Sequence, residues 1–294
     1  MLRQRNAELN SQLASTFKAV CMAELEALKP GNVHIFADGH GMTIEHFMTS
    51  ADVASQVIAL ANMTVGERIL SAVKATKHAV NMNTNLGIIL LCAPIIHAAL
   101  NRHSDDFIVD LKQVLRALTI EDASFAFAAI RLANPAGLGE VAQNDVNDTA
   151  HCTLLQAMQT ATHRDMIAMQ YAHDFQDILS FGVPRYQTYL KQWQRPAWAA
   201  TAVYLGFMAR YADSHIARKH GEIAAQLVQN LAQQHEAEFV QSYNPKNYLT
   251  PLLHFDTDLK SQHLNPGTSA DLTVATLLLH QFVLDKPVFV DELS

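Results

Sequence analysis

Five short polar loops interrupt an otherwise apolar helical sequence, and they hold most of its residues with chemical potential. The first, Lys29-Pro30-Gly31-Asn32-Val33-His34 with His40-Gly41-Met42 close behind, ends a stretch whose apolar stripe is Leu13, Phe17, Val20, Cys21 and Leu28. Glu24 is the only ionisable residue near the middle of that stripe, and Glu26 faces the other way. The remaining loops are Asn81-Met82-Asn83-Thr84-Asn85-Leu86-Gly87, Asn134-Pro135-Ala136-Gly137-Leu138-Gly139-Glu140 running on to Asn144-Asp145-Val146, Asp213-Ser214-His215-Ile216-Ala217-Arg218-Lys219-His220-Gly221, and Asn265-Pro266-Gly267-Thr268-Ser269-Ala270-Asp271.

Each loop alone reads as a helix cap, a helix stop or a solvated charged face. Together they supply carboxylates for a metal, cations and helix-end N–H groups for phosphate, and Asn side chains for a sugar or base. That set suits a nucleoside triphosphate with Mg2+. No Gly-x-x-x-x-Gly-Lys-Ser/Thr loop occurs and no strand precedes a Gly-rich turn, so P-loop and Rossmann enzymes are excluded. Among fifteen histidines, His34, His40 and His46 are regularly spaced, but the spacing fits neither a helical pair nor the usual zinc patterns. His97 and His280 read as core residues, and Met158, Met166 and Met169 as core filler on one long helix.

The elements that must position these loops are helices. The 3.6-residue period predicts them at 7–28, 50–62, 65–81, 86–101, 105–118, 120–133, 149–179, 185–193, 197–212, 215–235 and 269–283, leaving 236–264 unassigned. Capping boxes are expected at Thr64 with Glu67, Thr119 with Asp122 and Thr268 with Asp271. The expected architecture is all-α, a single compact multi-helix bundle of about ten helices spanning residues 1–294, since no linker or repeat divides the chain.

With 294 residues, 49% of them hydrophobic, the chain can bury a substantial core. A net charge of −7 removes the basic footprint of a nucleic-acid binder. Cys21, Cys92 and Cys152 are far apart and read as reduced thiols. The polar start MLRQRNAELNSQ lacks a secretory pattern, which makes a cytoplasmic location the expectation. Gly87 to Leu100 is too short for a bilayer span and contains Pro94 and His97, so no membrane partner is expected. A homodimer stays open, on the frequency of twofold assemblies alone.

In this order the loops resemble the triphosphoribosyl-dephospho-CoA synthase family, all-helical enzymes that make the prosthetic-group precursor of citrate lyase and malonate decarboxylase. The resemblance runs from about Glu24 to about Leu279. It rests on Glu24, Lys29-Pro30-Gly31, His40 with Met42, Asn83-Thr84 with Gly87, Gly139-Glu140, Asp213 with Arg218, and Asn265-Pro266-Gly267 with Ser269-Ala270-Asp271. It implies that the 2′-hydroxyl of 3′-dephospho-CoA attacks the anomeric carbon of ATP, adenine leaves and the triphosphate stays attached. On that reading Glu24, Asp213 and Asp271 are catalytic. Lys29, Arg218 and Lys219 meet the triphosphate, helped by helix-end donors at Gly267, Thr268 and Ser269. Mg2+ falls to Asp213 and Asp271, with Glu140 and Asp145 in reserve. Asn83, Thr84 and Asn85 hold sugar or base, and Gly31, Asn32, His40 and Gly139 complete the substrate-binding set.

Three positions depart from the family pattern. Asn85-Leu86 stands where lyase-associated members have His-Lys, Gly41 where an acid precedes Met42, and Leu28 where Pro precedes Lys29. Gly-Asn-Val-His, Asn-Thr-Asn-Leu-Gly and Asp-Ser-His-Ile-Ala-Arg-Lys resemble a sister branch linked to pterin-dependent one-carbon metabolism. Two alternatives therefore stay open: (phospho)ribosyl transfer to another acceptor, such as a pterin-type cofactor precursor, and a helical protein that binds nucleotide without turnover.

Overall fold

A computed structural model describes residues 2–135 and 144–283, in which fourteen α-helices, a π turn at Ile178–Gly182 and a 3-10 turn at Pro245–Tyr248 account for the regular structure. The helices are α1 (Leu2–Glu26), α2 (Ile44–Ile58), α3 (Val65–Val80), α4 (Leu86–Leu100), α5 (Phe107–Arg116), α6 (Ile120–Ala133) and α7 (Leu154–Ala161). They continue as α8 (Met166–Ala172), α9 (Val183–Trp193), α10 (Pro196–Arg210), α11 (Ser214–His220), α12 (Glu222–Gln241), α13 (Leu249–Ser261) and α14 (Gly267–Val283). The all-α expectation holds, and fourteen helices replace about ten.

Helices that are apolar on every side must be central. Twelve of the fifteen residues of α4 are buried, as are ten of fifteen in α10 and twelve of seventeen in α14. Pro94 inside α4 cannot donate to the Leu90 carbonyl. The buried Tyr171 hydroxyl donates to that carbonyl instead, at 2.5 Å. Two hydrophobic clusters meet at α10: Ala199, Val203 and Phe207 enter the larger one, built on α1 to α9 and α14, while Ala202, Leu205 and Met208 enter a smaller one with α11, α12 and α13. Cys21 and Cys92 are buried free thiols and Cys152 is half-buried. No described helix is long and apolar enough to cross a membrane.

Several predicted helices change. The span 149–179 breaks after α7, because the Asp165 carboxylate accepts the N–H groups of Ile167 and Ala168 and starts α8 afresh. It ends in the π turn that feeds α9. Met158 therefore lies on α7 and Met166 and Met169 on α8, all against the larger core. The span 215–235 breaks at Gly221, whose φ of +90° separates α11 from α12. The unassigned 236–264 holds the end of α12, the 3-10 turn and α13. The span 50–62 begins earlier, at Ile44, where the Thr43 N–H donates to His46 Nδ1.

The boxes at Thr64 and Thr119 form as expected. The Thr268 box does not, because Thr268 already lies inside α14 and the Ser269 N–H is taken by a carboxylate from elsewhere, Asp213.

Candidate active site

At the end of α1, Lys29 is fully buried with its Nζ 2.5 Å from Glu24 Oε1 and 3.3 Å from Asn32 Oδ1. Burial pushes the Glu24 carboxyl up and the Lys29 ammonium down, and each charge partly offsets the other's shift. The loop carrying Lys29 is pinned at every turn. Gly31 has φ +82°, and a Cβ there would come within 2.8 Å of Pro266 Cδ and 2.9 Å of Leu259 Cδ1. Its N–H donates to Asp256 Oδ1 at 2.8 Å, and its carbonyl accepts from His40 Nε2 at 2.7 Å. Tyr204 donates its hydroxyl to the Pro30 carbonyl, and Asn32 donates Nδ2 to Asn265 Oδ1.

Asp256, on α13, also meets Lys260 at 3.0 Å and His34 Nε2 at 3.3 Å. Burial raises its carboxyl, but these partners outweigh burial and hold it below the usual carboxylate value. His34 and His40 thus support the loop while His46 caps α2, and no group of three metal-ligating side chains occurs among the described residues.

A cavity of about 340 Å³ opens beside this loop, within the range of small-molecule sites. Part of its lining is apolar: Leu90 of α4, Phe127 and Ile130 of α6, and Leu154, Ala157 and Met158 of α7. Much of the rest is polar. Glu24 and Asn32 contribute from the α1 end, Asn83, Thr84 and Asn85 from the approach to α4, Arg164 and Asp165 from the α7–α8 turn, His215 and Arg218 from α11, and Asn265 and Asp271 from the start of α14. Asn85 is 6% exposed and its Nδ2 has no partner, leaving a buried donor available at the cavity wall. Asn83 Oδ1 accepts the Leu86 N–H, and Thr84 shares a hydroxyl contact with Ser50.

Asp271 is half-buried and accepts no hydrogen bond from a described residue. Desolvation first, then the charges of Asp213 and Glu24, push its carboxyl well above the usual range. Its Oδ2 stands 2.0 Å from where a Cβ on Gly87 would lie, so the glycine that opens α4 is what gives this carboxylate its space.

Other residues singled out from sequence sit differently. Asp213 is buried and fully engaged: Oδ1 accepts from the N–H groups of His215 and Ile216, and Oδ2 from the N–H and Oγ of Ser269. It is the shared cap of α11 and α14, which leaves it little capacity for a metal. The same bonds commit the Ser269 N–H and hydroxyl, and the Gly267 N–H is turned to the Asn265 carbonyl, while Gly267 itself lines the cavity. Lys29 is sealed against Glu24 rather than lining the cavity, and Lys219 is exposed outside it. Gly31 and His40 shape the loop without lining the cavity. Asp145 is buried at the cavity edge and accepts the Asn147 N–H. Gly139 and Glu140 lie outside the described residues.

Sequence reasoning missed Arg164, Asp165 and Asp256. The first two were hidden inside an apparently continuous helix, although Asp before an apolar run is a cap signal that could have exposed them. Asp256 lay in the unassigned segment.

The family model for ATP:dephospho-CoA triphosphoribosyl transferases (CitG) matches residues 10–287. No curated protein matches. A solved structure described as a candidate triphosphoribosyl-dephospho-CoA synthase of Archaeoglobus fulgidus aligns with a TM-score of 0.61 at 19% identity, covering 82% of this chain and 98% of that one, which shows a shared fold. A family match running through nearly the whole chain makes it a member of the ATP:dephospho-CoA triphosphoribosyl transferase family, and so a transferase.

Proposed function

We propose that the enzyme moves the 5-triphosphoribosyl group of ATP to the 2′-hydroxyl of 3′-dephospho-CoA and releases adenine. The bond from ribose C1′ to the adenine nitrogen breaks, the bond from C1′ to the acceptor O2′ forms, the hydroxyl gives up its proton and adenine takes one. Such a transfer passes through positive charge on the ribose, which a nearby carboxylate stabilises. The observation that carries the reading is the pair of acids, Glu24 and Asp271, lining one cavity together with amide and apolar side chains.

Glu24, held by the Lys29 ammonium, serves as the anion beside the developing charge. Asp271, whose proton is retained well above the usual carboxylate range, serves as the group that exchanges a proton with hydroxyl or base. The Asn85 amide is free to bond sugar or base. The donor set of this cavity is carboxylate and amide oxygen, which fits Mg2+, an ion usually bound by one or two carboxylates plus substrate phosphates. Asp145, at the cavity edge, is the carboxylate that would hold it together with the substrate phosphates, and its charge would neutralise the triphosphate.

The test incubates the full chain with ATP, Mg2+ and 3′-dephospho-CoA and follows adenine and product mass by liquid chromatography–mass spectrometry, with Asp271→Asn alongside. Adenine release with a triphosphoribosyl adduct, reduced at least 100-fold in the variant, is the expected result. ATP binding without adenine release rejects the acceptor. Asn85-Leu86 in place of His-Lys favours one second reading, transfer to a pterin-type acceptor, and a pterin in the same assay tests it.

A further inference from the structure

Arg164 is a cation that the other described residues leave unused. It stands on the turn between α7 and α8, exposed at the cavity wall, and its guanidinium makes no hydrogen bond or ion pair with a described residue. Its neighbour Asp165 divides its two oxygens. Oδ1 accepts the Ile167 and Ala168 N–H groups at 2.8 and 3.2 Å, and Oδ2 accepts Arg218 Nη1 at 2.8 Å. Arg218 is thereby held against the start of α8, with its Nε buried and unpartnered. Asp165 thus pairs with Arg218 alone, its charge already spread over two N–H groups, and Arg164 lines the same cavity without a partner among the described residues.

The other cations once expected to serve are committed elsewhere, with Lys29 closed on Glu24 and Lys219 outside the cavity. Among the described residues, Arg164 and Arg218 are the Lys or Arg side chains that line it. His215, which lines the cavity one turn before Arg218, is pushed down to about 4 by burial first and then by Arg218 and Lys219. Guanidinium is planar and presents forked donors that match phosphate oxygens in pairs.

We propose that Arg164 and Arg218 form the polyphosphate subsite of this cavity, with Asp165 as the residue that positions Arg218. The inference rests on the reading that the substrate is a nucleoside triphosphate; it keeps Arg218 from the expected triphosphate set, adds Arg164, and leaves out Lys29 and Lys219.

Calorimetric titration of the full chain with ATP, AMP and inorganic tripolyphosphate at fixed Mg2+ tests it, in wild type, Arg164→Gln and Arg218→Lys, with exposed Lys74→Gln as charge control. The Arg164 side chain has no partner among the described residues, so Arg164→Gln is expected to melt with wild type. It should weaken ATP and tripolyphosphate by about 10- to 100-fold, the range for a bond to a charged group, with AMP changed less than about twofold. Arg218→Lys keeps the charge and loses the fork, and should weaken both polyphosphates at least about fivefold. Unchanged tripolyphosphate affinity in Arg164→Gln, equal losses for ATP and AMP, an equal effect in Lys74→Gln, or a wild type that binds no polyphosphate would overturn the subsite. Polyphosphate binding lost in Arg164→Gln without adenine release from ATP keeps the subsite and rejects the transferase reaction. Adenine release with undiminished polyphosphate binding in that variant does the reverse.

Discussion

Desolvation and the nearby charges of Asp213 and Glu24 make ionising Asp271 unfavourable in the folded chain, while the unfolded chain ionises it at the ordinary carboxylate value near 3.8. Above that value the folded state binds more protons than the unfolded one, so this group's contribution to stability falls as pH rises, by at most about 1.4 kcal/mol per pH unit. Asp271→Asn removes the titration. The variant should match wild type in melting temperature near pH 4 and exceed it increasingly toward pH 7, in thermal melts with chelator present, while losing adenine release. A melting difference that does not change with pH would contradict this. Gly87→Ala tests the same carboxylate from the opposite side. Alanine favours a helix over glycine by about 1 kcal/mol, yet its Cβ would collide with Asp271 Oδ2. We expect a net loss of about 1–3 kcal/mol and at least a 100-fold drop in turnover, read by melting and by the adenine assay. A variant with a higher melting temperature and full turnover would show that the carboxylate has room elsewhere.

Between elements, one side chain joins what the sequence presented as two separate loops. Asp213 caps α11 with one oxygen and α14 with the other, so Arg218 and Asp271 are held in register by a residue that need not touch substrate. Asp213→Asn keeps one acceptor oxygen and puts an N–H2 where an acceptor is needed. It should lower stability by about 1–3 kcal/mol, measured by denaturant unfolding, because a buried N–H loses its partner. Restoration of the loss by Ser269→Ala in the same chain would not be expected, since the Ser269 backbone N–H remains. Local signals such as the 3.6-residue period and the Thr64 and Thr119 boxes were legible because they depend on residues within one turn of each other. The Asp165 break was not, because apolar residues continue on both sides of it. Nor was the clamp on Gly31, whose partner Asp256 lies 225 residues away in a segment with no clear period. The acids and amides of the site were legible as residue types. Which of them face the cavity and which, like Lys29 and Asp213, are spent on internal bonds depends on how the helices pack.

At the scale of the whole chain, the cavity lies where the larger cluster, through α4, α7 and α8, approaches the smaller one through α11. A nucleotide bonded to Asn85 on the first side and to Arg218 on the second would tie the two together. A ligand that binds only the folded state stabilises it by about 2.7 kcal/mol at 100 times its dissociation constant. The distribution of that gain is more informative than its size. Hydrogen–deuterium exchange with saturating ATP and Mg2+ should slow at Ser214–His220 of α11 and at Gly87 and Ile88, helix-start N–H groups on the cavity wall, and stay unchanged in α5. Protection confined to α4 would place the nucleotide on one cluster alone and leave α11 without a part in binding. Protection at both sites, absent with AMP at α11, would show that the polyphosphate is what links the two halves of the core.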